Sequence, residues 1–165
     1  MKQRIAIVLF LSVIISGCGF FGERIMEPVT FYYLQTDYTF GREPRVIVPE
    51  EREASGHKAD LSYLLTLYLM GPAEEEHRTP LPSGTQILNV KYRGNTVSME
   101  LSNSVYVLSD AELTLACACL TLTCLDITDA QQVSITYQDR TVTMSGDSLT
   151  LIDDKIETMN TEEIQ

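Results

Sequence analysis

The stretch that most limits what this chain can fold into is Ser109 to Leu125, SDAELTLACACLTLTCL. Ser109, with Glu112 three residues on, is a helix-start signal: side chain and backbone can satisfy each other's orphan donors. Asp110 and Glu112 put negative charge where the helix dipole favours it. An almost unbroken run of Leu, Ala, Cys and Thr follows. Leu113, Ala116, Cys117, Leu120 and Cys124 share one helical face, and Leu115, Ala118, Leu122 and Leu125 widen it nearly all round. The run falls short of the about 20 residues that cross a bilayer. It predicts a helix buried in a core. Strand-like segments lie on both sides, so the simplest arrangement lays it across a sheet.

The three cysteines on that helix are expected to be buried, unpaired hydrophobes. Cys117 and Cys119 point in different directions. Cys117 and Cys124 share a face but stand roughly 10 Å apart, beyond disulfide reach. Cys-x-Cys-x4-Cys with no histidine nearby is not a zinc pattern. A thiol or metal protein remains the weaker alternative.

The N-terminus reads as an address. Lys2 and Arg4 precede an apolar run from Ile5 to Ile15, then small residues and a cysteine. Residues 1–17 are thus expected to be a signal peptide. Ile15-Ser16-Gly17-Cys18 resembles the lipobox of bacterial lipoproteins. That resemblance implies cleavage before Cys18 and a diacylglyceryl group on its thiol. The chain would then sit on the extracytoplasmic face of the cell membrane, held by lipid on Cys18, with residues 18–28 as tether. Losing Lys2 and Arg4 takes the formal charge from −11 to −13. Nucleic acid as a partner is excluded, because phosphate binding needs a basic patch. Attachment to anionic lipid by charge is disfavoured for the same reason.

Along the rest of the chain, Val29–Gln35 and Arg45–Pro49 read as strands. Glu50–Lys58 reads as a polar loop. Leu61, Leu64, Leu65, Tyr68 and Leu69 repeat at helical spacing behind Asp60, a candidate N-cap, and Gly71-Pro72 ends the helix. Gln86–Tyr92 and Thr96–Leu101 form a predicted hairpin about Arg93-Gly94-Asn95, with Leu88, Val90 and Tyr92 facing inward. After the central helix, Val133, Ile135 and Tyr137 alternate on one strand and Val142 and Met144 on the next. Leu149–Ile152 is a further candidate edge strand, and 153–165 a charged, fraying tail. The order predicts an α+β domain over 29–152: two layers, a mostly antiparallel sheet, and two helices on one face.

Ala73–Gly84, AEEEHRTPLPSG, is a long loop for a compact domain, and such loops are often functional. Glu74, Glu75, Glu76, His77, Arg78 and Gly84 are its candidate binding residues. The loop's other reading is a plain connection. Only two histidines exist, His57 and His77, both in polar stretches, and the cysteines sit on an apolar helix. No nucleophile–base–orienter constellation is legible, so no catalytic residue is assigned. No cofactor and no metal site are expected either. The many acids leave a carboxylate pair for glycan cleavage open.

Leu64–Leu69, the Gly71-Pro72 break, Leu81-Pro82-Ser83-Gly84-Thr85 leading into Gln86-Ile87-Leu88, the Leu101-Ser102 pair and the Val133–Tyr137 strand together resemble the GerMN domain. That family is known from sporulation and spore-germination lipoproteins. The resemblance spans about Asp60 to Met144 and more loosely the first strand. It implies a non-catalytic interaction module outside the membrane, acting in sporulation, germination or envelope assembly. Its partner would be an envelope protein or peptidoglycan. A peptidoglycan hydrolase is the alternative. The central helix departs from the family in its cysteines and few polar residues, which implies an unusually dry core.

Overall fold

A computed structural model describes residues 28–36, 46–54, 56–147 and 149. The expected signal peptide, Cys18, the expected tether before Pro28, most of the candidate Leu149–Ile152 strand and the expected 153–165 tail lie outside them. Among the described elements, seven strands and two α-helices follow in the order β1 Pro28–Gln35, β2 Ile47–Glu53, α1 Leu61–Leu69, β3 His77–Arg78, β4 Ile87–Arg93, β5 Thr96–Leu101, α2 Asp110–Ile127, β6 Gln132–Tyr137 and β7 Arg140–Ser145. A 3-10 turn, Asn103–Val107, leads from β5 into α2.

The α+β class is as expected, but the strands form two sheets rather than one: β2-β1-β3 and β4-β5-β6-β7. All pairings are antiparallel except β5 with β6. That parallel pair needs a crossover, and α2 supplies it. The capping box at Ser109 and Glu112 is formed in both directions. The helix packs against β1 on one side and against β6 and β7 on another. Ala116 to Thr121, Thr123 and Cys124 are all buried. Val97, Met99, Leu101, Val133, Ile135 and Tyr137 form the inner face of the four-stranded sheet. Its other face carries Ser98, Glu100, Ser134, Thr136, Thr141 and Thr143, as strand alternation requires.

β1 sits against both helices. Opposite Pro49, Tyr32 turns its backbone groups away from β2. The Tyr32 N–H donates to Thr123 Oγ1 on α2 at 2.9 Å, and its carbonyl accepts from the Tyr68 hydroxyl on α1 at 3.2 Å. In return, the Tyr33 hydroxyl donates to the Tyr68 carbonyl at 3.0 Å. The Tyr33 and Tyr68 rings stack with centroids 4.9 Å apart, and Phe31 meets Tyr68 edge-on at 5.7 Å.

Two local expectations are corrected. β2 does not stop at Pro49 but continues to Glu53, because β1 offers it a partner along its whole length, from Leu34↔Ile47 to Pro28↔Glu53. In β4, Leu88 is 56% and Tyr92 42% exposed, and only Val90 of the three predicted inward residues packs against the core. A bulge accounts for Leu88: Ile87 and Asn89 face the adjacent residues Leu101 and Glu100, leaving it unpaired, whereas Tyr92 keeps its register opposite Val97 and is exposed near the end of an edge strand.

Cys117, Cys119 and Cys124 are free and buried. Burial pushes the Cys117 thiol to about 11 and the Cys124 thiol to about 12, and raises Cys119 further. Since the thiolate is the reactive form, a thiol-alkylating reagent should label the native protein slowly and the denatured protein fast. Rapid labelling of native Cys119 would show the helix to be less tightly packed than this.

Candidate functional site

The predicted loop is organised by a residue outside it. Glu50 lies on β2 opposite Phe31, and its side chain points into the buried side of the small sheet, 5% exposed. One carboxylate oxygen accepts the Ala73 N–H at 2.8 Å and an Arg52 Nη1–H at 3.1 Å. The other accepts the Glu74 N–H at 3.3 Å and contacts His77 Nδ1 at 2.8 Å. With a carboxylate this close, Nδ1 carries the proton and donates it. Arg52 Nη1 also reaches the Gly71 carbonyl at 3.1 Å. Burial alone would raise the Glu50 pKa. The donors from Ala73, His77, Glu74 and Arg52 together outweigh it and hold the carboxyl below its ordinary value.

The loop is therefore stitched down at its start. Gly71, with φ +91°, turns the chain out of α1. His77 and Arg78 then form β3, pairing with Gln35 and Leu34 at the end of β1. The Thr36 N–H donates to the Glu76 carbonyl at 2.8 Å, and the His77 N–H to the Glu74 carbonyl at 3.1 Å. Glu74, Glu75 and Glu76 are thus held by their backbones while all three residues stay exposed. They form an acidic knuckle on a fixed base. His77 is half-buried against Glu50, and Arg78 is exposed beside it.

Gly84 stands apart from this cluster. Pro82-Ser83-Gly84-Thr85 is a turn closed by the Thr85 N–H donating to the Pro82 carbonyl at 3.1 Å, and Gly84 takes φ +81° at its third position. The turn delivers Thr85 to a chain of hydroxyls. Ser104 Oγ donates to Thr85 Oγ1 at 3.0 Å, Ser102 and Ser104 meet at 2.9 Å, and Ser102 Oγ accepts the Gln86 N–H at 2.9 Å. This network fastens the end of the loop to the end of β5. No atom would meet a Cβ at Gly84, so only the backbone conformation resists substitution. Gly84→Val should cost about 1 kcal/mol or more through that strain, read as a lowered denaturation midpoint; an unchanged midpoint would show that the turn relaxes freely.

A model of the Germane family, described as "Sporulation and spore germination", matches residues 30–143. This chain belongs to the Germane family. The match runs from β1 into β7 and takes in the Glu50 anchor and the loop, as well as the Pro82–Thr85 turn and Ser102. A sporulation-related role follows from the family. Among solved structures, the tandem GerMN domains of the sporulation protein GerM from Bacillus subtilis superpose with TM-score 0.51 at 19% identity. They cover 74% of this chain, which spans 43% of that structure, so the likeness shows the Germane fold. A crystal structure of a "Putative Lipoprotein from Clostridium perfringens" aligns with TM-score 0.48 at 15% identity, covering 74% of this chain and 89% of that one. No curated protein matches.

Two open depressions lie among the described residues of this Germane domain. One, about 310 Å³, lies between α1 and β4, lined by Leu65, Leu69, Ile87 and Leu88 among others, with no acid or histidine. The second, about 220 Å³, lies on the outer face of the larger sheet beside Lys91 and Glu100. Neither touches the Glu50–His77 pair. Among the described hydrogen bonds, none joins His77 Nε2 to a hydroxyl or thiol. Glu50 itself was missed in the sequence. Its signal was there: Val48, Glu50 and Arg52 alternate past Pro49, with an acid and a base two apart on one face.

Proposed function

We propose that this Germane chain is a membrane-tethered, extracytoplasmic interaction module serving sporulation, germination or envelope assembly. It works by docking rather than catalysis. Lipid on Cys18 holds it at the membrane, and an envelope protein or peptidoglycan is its partner. The observation that carries this reading is the acidic knuckle. Glu50 spends a buried carboxylate on fixing the backbone of Ala73–His77 while Glu74, Glu75 and Glu76 project from it. A fixed charged surface loses little entropy on docking, and complementary charge speeds and orients encounter. The hydrolase alternative rests on the Glu50–His77 pair, which has the carboxylate–imidazole half of a triad and, among the described hydrogen bonds, no hydroxyl or thiol joined to it through the imidazole.

Crosslinking in intact cells should capture one dominant partner, and changing Glu74, Glu75 and Glu76 to Lys should abolish that capture. Undiminished capture would move the interface to the sheet edges. Purified protein should release no product from peptidoglycan; turnover lost on substituting His77 or Glu50 would establish the hydrolase instead. Cys18→Ala should release the protein from the membrane fraction or leave an uncut precursor.

A further inference from the structure

Three long strands lie at sheet edges, and two of them are defended. β2 carries Pro49, Glu51 and Glu53, and Pro49, opposite Tyr32 in a pair that turns away from the ladder, has no N–H to offer a newcomer. β4 carries the Leu88 bulge, Lys91 and Arg93. β7, RTVTMS, has no proline, bulge or acid, and its one charge is at the first residue. Among the described residues no strand lies on its far side.

We infer that β7 pairs antiparallel with β7 of a second copy of this chain. The hairpin fixes which backbone groups face outward, and an axis at Val142 confines the pairing to Arg140–Met144. Tyr137 and Arg140 flank a two-residue turn and exchange hydrogen bonds, so bonding alternates along the ladder. Val142 bonds inward to Ile135, whereas Thr141 and Thr143 turn their backbone groups outward. Two copies related by a two-fold axis at Val142 place Thr141 of each opposite Thr143 of the other. Each such pair exchanges its outward N–H and carbonyl. On the inner face, Val142 meets Val142, and Arg140 lays its aliphatic stem against Met144. On the outer face, threonine meets threonine. Every contact is isologous, as a two-fold interface requires. No like charges oppose each other, because Arg140–Met144 contains no acid although the whole chain is at −11. The product is one sheet of eight strands with a continuous hydroxyl-lined face. Pairing deepens the interaction-module reading and relies on that reading only for its use in the cell.

The test uses the full chain, extracted in mild detergent and oxidised. Facing residues at a non-bonded antiparallel position stand about 4.5 Å apart, within disulfide range. Val142→Cys should give a covalent dimer. Wild type, whose helix thiols are buried, and Leu88→Cys on the bulged edge should not. Thr143→Pro removes an N–H that the ladder with β6 does not use, and Thr141→Lys with Thr143→Lys sets lysine against lysine. Either change should abolish the Val142→Cys dimer while thermal melting stays cooperative. A dimer that survives both variants, or its absence in Val142→Cys, overturns the pairing. Disulfides from Val142→Cys to another envelope protein alone would also overturn it while leaving the docking function intact. Peptidoglycan turnover by a confirmed dimer would overturn that function and leave the pairing standing.

Discussion

Glu50→Ala is expected to cost about 3–5 kcal/mol, the range for removing one partner of a buried ion pair. The loss comes less from the missing bonds than from what they leave behind. Arg52 and His77 would keep charge or donors in a site without an acceptor, and two backbone N–H groups, at Ala73 and Glu74, would lose theirs. β3 should detach, because His77 is tied both to Glu50 and to Gln35. Denaturant unfolding measures the cost, and amide exchange at Thr36, whose N–H bonds to Glu76, reports the detachment. A loss under about 1 kcal/mol, the worth of one ordinary hydrogen bond, would mean that water replaces the carboxylate without penalty. The same group sets an acid limit. Its folded pKa lies below the ordinary 4.5, so the unfolded chain binds the proton first as pH falls. The stability from Glu50 is complete above the ordinary value and drains away as pH drops through the lowered one. Glu50→Gln should flatten that acid limb. Glu112, whose carboxyl is also held low by its Ser109 bonds, is present in both proteins and cancels in the comparison.

Tyr68→Ala should cost about 3–5 kcal/mol, the usual loss for truncating a large buried aromatic. Tyr68 is 0% exposed and joins α1 to β1 by three means: its ring stacks on Tyr33, its edge contact reaches Phe31, and its hydroxyl serves the Tyr32 carbonyl. Tyr68→Phe separates these. The stack stays, the Tyr32 carbonyl loses its donor, and about 1–2 kcal/mol should go. If the two variants melt together, the hydroxyl rather than the ring is what joins helix to strand.

The sequence made the helices legible because each carried both a period and its punctuation. Asp60 and Ser109 cap as expected, each accepting from the backbone N–H three residues on. Gly84 was legible for the same reason, since a turn that demands positive φ names its residue. The division into two sheets was not legible. Alternation tells which side of a strand is buried but not which sheet it joins, and β3, two residues long, leaves no pattern at all. The Leu88 bulge was invisible because its single extra residue sits inside an otherwise regular alternation. The candidate loop was found by its length and charge. Its anchor was not, because an acid in a run of acids looks like surface until its strand partner is known, and Phe31 supplies that knowledge only in three dimensions.

The way β1 completes its hydrogen bonds also sets an order of events. As the first of the described elements, it emerges before the others during synthesis. Yet Tyr32 waits for Tyr68, thirty-six residues later, and for Thr123, ninety-one residues later. Contacts of such sequence separation slow folding. Until α2 has been made, the first strand is left holding an open backbone edge. A newly made chain is therefore open to aggregation and to proteases at this strand, and a chaperone that shelters Val29–Gln35 would protect it through that interval.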